Sequence, residues 1–272
     1  MSRLPVCKEF TDKSLTFVLV LAGLVGVVYV FAQSNAIILY VLSSGLPPLL
    51  AFAAFAIAAA GLLRYGVRLT DRTSLVWFSF SLGILFWLLG ESTWAVYALW
   101  YSVPIPYPSI ADFFWLAGYV PLLYAMFTLA WPFREGFSTR KMLVATSSVI
   151  LLATLILVVL VPQAYASKMG QDLAAVSVGL AYPMLDVVLL MIALPVLFLF
   201  ASGTFWRPFR FIVIGLTLTF CGDILFSWAT LNGVYYDGSY LELFFHWSYI
   251  ALAYGFYLRF KAGTGADMIG RP

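Results

Sequence analysis

The chain has 272 residues, of which 63% are hydrophobic, 18% aromatic and only 10% charged, where a soluble domain carries about 25% charged residues. A mean hydropathy of +0.98 is more than a globular core absorbs, which excludes a soluble enzyme, a secreted disulfide scaffold and a nucleic-acid binder. The net charge of +3 is small, and the two cysteines, Cys7 in a tail and Cys221 inside an apolar run, suit neither a disulfide nor a metal spacing.

A bilayer core about 30 Å thick takes roughly 20 apolar residues per helix. In chain order, runs near 15–33, 47–67, 76–100, 109–131, 142–162, 176–201, 209–231 and 240–260 meet this requirement. They predict an all-α integral membrane protein of eight transmembrane helices in one membrane domain, 1–272. The first run follows a short basic region and reads as an uncleaved signal-anchor helix, although Val30-Phe31-Ala32 resembles a cleavage site. The second and sixth open at proline, Pro47-Pro48 and Pro183. Three prolines at 104, 106 and 108 stiffen the connection before the fourth, since each fixes its φ.

Basic residues orient the spans. Arg3, Lys8, Lys13, Arg64, Arg68, Arg72, Arg134, Arg140, Lys141, Arg207, Arg210, Arg259, Lys261 and Arg271 fall on one side of an eight-span layout, and Lys168 alone falls on the other. Both termini are therefore expected in the cytoplasm of a prokaryotic cell, with the protein in the inner membrane. No lysine lies within a span, which excludes a retinal Schiff base.

The chain also repeats itself. Gly83 and Gly90-Glu91 match Gly215 and Gly222-Asp223 at the same spacing, Ser109…Asp112 matches Ser239…Glu242, and Tyr119 and Tyr124 match Tyr249 and Tyr254. Two halves, 1–135 and 136–272, of four spans each would share one orientation and be related by an axis along the membrane normal, as in transporters built from parallel repeats.

The ordered set Pro-Ser-Ile-Ala-Asp at 108–112, Tyr119-Val-Pro121, Ala-Tyr-Pro-Met-Leu-Asp at 181–186, Gly222-Asp223 and Tyr249 resembles the multi-span membrane module found N-terminal in bacterial GGDEF/EAL (diguanylate cyclase) proteins, over about residues 46–260. The resemblance implies a sensory module whose output is read by a cytoplasmic signalling partner, and it supplies no catalytic residue. The 272 residues contain no cyclase or phosphodiesterase domain. A shorter pattern, Gly222-Asp223 with His246-Trp-Ser-Tyr249, resembles the lysoplasmalogenase-like eight-span proteins. That likeness implies ether-lipid hydrolysis with Glu91 and Asp223 in the acidic positions.

Ionisable residues inside a span cost about 2.5–3.5 kcal/mol on insertion scales, so Glu91, Asp186 and Asp223 each need a reason. Interhelical hydrogen bonds to Ser92, Thr93, Ser227 or Tyr182 provide one; a ligand, proton or metal site provides another. Asp112 and Glu242 follow Ser109 and Ser239 by three residues, the spacing of a capping box at a helix start. His246, the single histidine, lies one turn after Glu242 with Tyr249 near the same face. Glu242, His246 and Asp223 together would be the only metal set, and no cofactor is implied. Trp94 and Trp228 crowd the same level, as members of an interfacial aromatic belt or as walls that would hold a cation over their faces.

The expectation is a sensory or ligand-binding membrane module. Glu91, Asp186, Asp223, Trp94, Trp228, His246 and Tyr249 would bind a small lipid-like or cationic ligand in the outer half of the bilayer. An intramembrane lipid hydrolase using Glu91 and Asp223 as its carboxylate pair is the alternative from another class, and a transporter is a third.

Overall fold

A computed structural model describes residues 13–101, 106–132, 139–166, 173–199 and 207–262. Among these the chain is all-helical. Its long helices are α1 (Lys13–Ala32), α2 (Ala36–Tyr65), α3 (Arg72–Ala95), α4 (Ile110–Ala130), α5 (Thr139–Ala166), α6 (Leu173–Leu199), α7 (Arg207–Leu231) and α8 (Leu243–Ala262). A π-helical turn, Val96–Tyr101, extends α3, and a 3-10 turn, Tyr240–Glu242, leads into α8. Arg3, Lys8, Arg134, Lys168 and Arg271, used above for orientation, lie outside the described residues.

Six of the helices are long and apolar enough to cross a membrane: α1, α2, α3 with its π turn, α4, α6 and α7. The two other expected spans, α5 and α8, are not among these. In α5 the apolar run found among the described residues is Thr146–Leu160, within the longer helix Thr139–Ala166. The twenty residues of α8 include His246, Ser248, three tyrosines, Arg259 and Lys261. Those polar groups are affordable because α8 packs against α1, α2 and α7, where partners replace water.

The prolines do not open their helices, contrary to the sequence expectation. α2 begins eleven residues before Pro47, because the Asn35 side chain accepts the Ile37 and Ile38 N–H groups at 3.1 Å each and so caps the helix start. Pro47-Pro48 and Pro183 lie inside α2 and α6. A buried helix tolerates such prolines because its neighbours can satisfy the carbonyls they free.

Two antiparallel helix pairs, α3/α4 and α7/α8, are packed in the same way. A Cβ placed on Gly83 would stand 2.6 Å from Leu122 Cγ, and one on Gly215 would stand 2.6 Å from Leu252 Cγ. Seven residues on, Gly90 meets Trp115 and Gly222 meets Phe245 just as closely. Only glycine lets the backbones approach to this distance. Gly83→Ala and Gly215→Ala should each therefore destabilise the protein by about 1–3 kcal/mol through overpacking. Thermal unfolding in detergent checks this, and an unchanged midpoint for both would contradict the packing. Between the two glycine levels the pairs diverge: Trp87 covers Gly118 in one, whereas Thr219 and Ser248 share a 2.7 Å hydrogen bond in the other.

The remaining helices cross over between these pairs. α2 packs on α3 but also on α8, and α6 packs on α7 but also on α4. α1 lies against α8, where the Trp247 indole donates to Ala22 O at 3.0 Å. One end of the bundle is rich in arginine: Arg72 donates twice to Thr128 O, and the Arg259 guanidinium sits 5.1 Å from the Tyr65 ring and 5.3 Å from the Trp77 ring. The opposite end holds Glu91, Asp112, Asp223 and Glu242.

Candidate functional site

At that acidic end the ends of α2, α3, α4, α6, α7 and α8 enclose a cavity of about 160 Å³. Its lining brings together Glu91, Asp112, Asp223 and Glu242 with Trp87, Trp94, Trp115 and six further aromatic side chains, and none of the described lining residues is a lysine or arginine. His246 and Tyr249 also line it.

The acids are held by tyrosines from elsewhere in the chain. Tyr249 of α8 donates to Glu91 Oε1 of α3 at 2.8 Å. Tyr119 of α4 lies 3.2 Å from Asp223 Oδ2 of α7. Each tyrosine thus serves the acid of the other helix pair. Tyr119 also reaches Asp186 Oδ1 at 2.7 Å. Asp186 is 1% exposed and stands behind Tyr119, one layer away from the cavity itself.

The capping expectation splits. At Ser109 both halves of the box are present: the Ser109 N–H donates to Asp112 Oδ2 at 2.6 Å, and the Ser109 hydroxyl accepts from the Ala111 N–H at 3.2 Å. The other oxygen of Asp112 accepts the Tyr182 hydroxyl at 2.9 Å, so the cap is also part of the cavity wall. At Ser239 the box does not close. The Ser239 N–H is already donated to Tyr236 O, and the carboxylate of Glu242 instead takes the N–H of Gly238 at 2.8 Å. Gly238 has φ +84, a conformation that glycine adopts without steric cost and that local spacing does not announce.

Glu242 is the most densely bonded acid. Besides Gly238 it accepts the hydroxyls of Ser43 at 2.9 Å, Tyr235 at 2.8 Å and Tyr29 at 3.0 Å. It thereby ties α1, α2 and the loop before α8 together. His246 is fully buried, with Nδ1 2.6 Å from Glu242 O and Nε2 3.2 Å from the Tyr29 hydroxyl. Since a carbonyl only accepts, Nδ1 carries the proton. Both ring nitrogens thus lie within hydrogen-bond distance of protein oxygens. Among the described residues no three of His, Cys, Asp and Glu are arranged to hold a metal, so Glu242, His246 and Asp223 do not form a common ligand set.

Trp94 lines the cavity and lies with its ring 5.8 Å from that of Trp115 at a tilt of 44°, whereas Trp228 is 44% exposed and is not part of the lining. Two loop phenols complete the wall. Burial, with the charges of Asp112 and Asp223, raises the Tyr107 phenol, and burial with the Glu242 carboxylate raises Tyr235. Both therefore stay O–H donors. Sequence reasoning missed Tyr29 and Ser43. The available signal for Tyr29 is that it is the sole tyrosine in the aliphatic run of α1.

Comparison with protein-family models, with curated proteins and with solved structures finds no match to this chain.

Proposed function

We propose that this is a multi-pass inner-membrane protein with eight spans, cytoplasmic termini and a cavity in the outer half of the bilayer that binds the headgroup of a small organic cation, as a sensory module. The observation that carries the reading is the cavity's composition: four carboxylates and a surround of aromatic rings, with no lysine or arginine among the described lining residues. An ammonium group is attracted by both carboxylate charge and ring faces. A volume of about 160 Å³ has room for a small organic headgroup.

The layout of two four-helix halves, 1–135 and 136–272, about an axis along the membrane normal is part of the proposal. It is supported by the matched glycine contacts of α3/α4 and α7/α8 and by the exchange of α2 and α6 between them. A cation drawing Glu91 and Asp223 inward would weaken Tyr249→Glu91 and Tyr119→Asp223, each of which joins one half to the other. That gives the ligand a differential affinity for two packings, which a population shift requires. The likeness to the module of GGDEF/EAL proteins supports a cytoplasmic partner as the reader.

The test is a thermal-shift and binding series on protein in nanodiscs with tetramethylammonium, dodecyltrimethylammonium and the uncharged dodecyl maltoside. The cations should raise the unfolding midpoint, and Glu91→Gln should weaken their binding by about tenfold, the loss of one charged contact. Binding of the uncharged detergent alone would sink the cation reading. Turnover of an ether lysolipid by the purified protein would favour the hydrolase alternative, in which Glu91 and Asp223 act as acid and base.

A further inference from the structure

The contacts around Tyr119 call for a proton that no described donor supplies. Its hydroxyl lies 2.7 Å from Asp186 Oδ1 and 3.2 Å from Asp223 Oδ2. A phenol has one proton, so it makes a full, linear hydrogen bond to one of these oxygens and at most shares it weakly with the other. The second contact becomes a full hydrogen bond if that carboxyl brings a proton of its own. The two carboxyls thus meet around a single phenol oxygen, and one phenol proton does not fully satisfy both acceptors. Asp186 Oδ2, fully buried, meets no donor among the described residues.

The described surroundings place no cation beside the pair. α6 packs against α4, α5 and α7. From α4 comes Tyr119, and from α7 come Asp223 and Cys221. The ionisable residues of α5 are Arg140, Lys141 and Tyr165, near its ends, with side chains outside the described set. Arg210, the nearest cation on α7, is thirteen residues before Asp223, about 20 Å along the axis. Glu91, Tyr107, Tyr182 and Tyr249 line the cavity together with Asp223, and they are acids and phenols. Two ionised carboxylates in such a setting repel each other strongly.

We propose that Asp186, Asp223 and Tyr119 form a proton-binding site in the cavity wall, and that an ammonium-type cation entering the cavity displaces that proton. The displacement rests on the cation reading above; the proton site does not. The exchange balances: one cation enters, one proton leaves from the Asp186–Asp223 pair, and the protein's charge is unchanged. Asp223 and Tyr119 line the cavity whereas Asp186 is sealed behind them, so the proton's exit is through Asp223 to the cavity.

Two measurements test this. Infrared spectra of the ligand-free protein at neutral pH should show the carbonyl stretch of a protonated carboxylic acid, shifted in heavy water. Part of that band should be lost in Asp186→Asn, with Asp223→Asn as the second variant should the first not fold. A band absent from wild type, or unaltered in both variants, overturns the proton site. Titration of lightly buffered protein with tetramethylammonium chloride should release one proton for each cation bound, falling toward zero per bound cation in Asp186→Asn. Cation binding without proton release overturns the displacement and leaves the cavity reading intact. Failure of wild type to bind the cation overturns that reading and the displacement together, while the infrared result still decides the proton site.

Discussion

Glu242→Ala is expected to destabilise the protein by about 3–5 kcal/mol, the range for removing one partner from a buried charged cluster. The carboxylate is 6% exposed and accepts from Gly238 N–H and from the hydroxyls of Ser43, Tyr235 and Tyr29. Alanine leaves all four donors without their acceptor, at about 1–3 kcal/mol for each that stays buried and unpaired. The hydroxyls can turn to other partners, but the Gly238 N–H cannot, which keeps the total below the simple sum. Glu242→Gln retains one carbonyl oxygen and should cost markedly less. Because Tyr29 and Trp247 both join α1 to α8, the loss should appear first as protease sensitivity around α1 and as a red shift of tryptophan emission. Unfolding midpoints of both variants in detergent check the order. A midpoint for Glu242→Ala within a degree of wild type would mean that the cluster contributes little.

Glu91→Lys should abolish cation binding, with affinity falling at least ~100-fold, equivalent to about 2.7 kcal/mol. The substitution removes one of four carboxylates and sets an ammonium in their midst, so the cavity would carry its own counter-ion. Truncating one side of a desolvated charge pair costs about 2–5 kcal/mol, and a reversal should lie at the upper part of that range. Trp94→Ala should act more mildly, about 0.5–2 kcal/mol, since it removes a ring face and leaves the charge. Calorimetric titration with dodecyltrimethylammonium separates the two variants. Equal losses would indicate that hydrophobic enclosure, not charge, recognises the ligand, and wild-type affinity in Glu91→Lys would remove Glu91 from the site.

The sequence reveals the acids and the close-packed glycines for the same reason: both break a simple rule of lipid-embedded helices. Glu91 and Asp223 stand out because charge in a span is costly, and both line the cavity. Gly83, Gly90, Gly215 and Gly222 stand out by repetition, and all four lie at close helix contacts. The tyrosines did not stand out. There are sixteen in the chain, each apolar in a composition count, and pairing Tyr249 with Glu91 or Tyr119 with Asp223 depends on packing between helices far apart in sequence. Helix starts followed local chemistry at Ser109, where cap and acid are three residues apart, and departed from it at Ser239, where a left-handed glycine redirects the carboxylate. Pro47 and Pro183 misled for the converse reason, since a local breaker is overruled where neighbouring helices enclose it. Trp228 showed the limit of reasoning by level: a residue at the right height can still face outward.

Aligning Pro47 with Pro183 sets Leu50 of α2 opposite Asp186 of α6. Under the proposed two-half layout, the place that holds a sealed carboxyl in one half holds an aliphatic side chain in the other. A guest in the cavity would then meet unequal surroundings on its two sides, and so have a preferred way round.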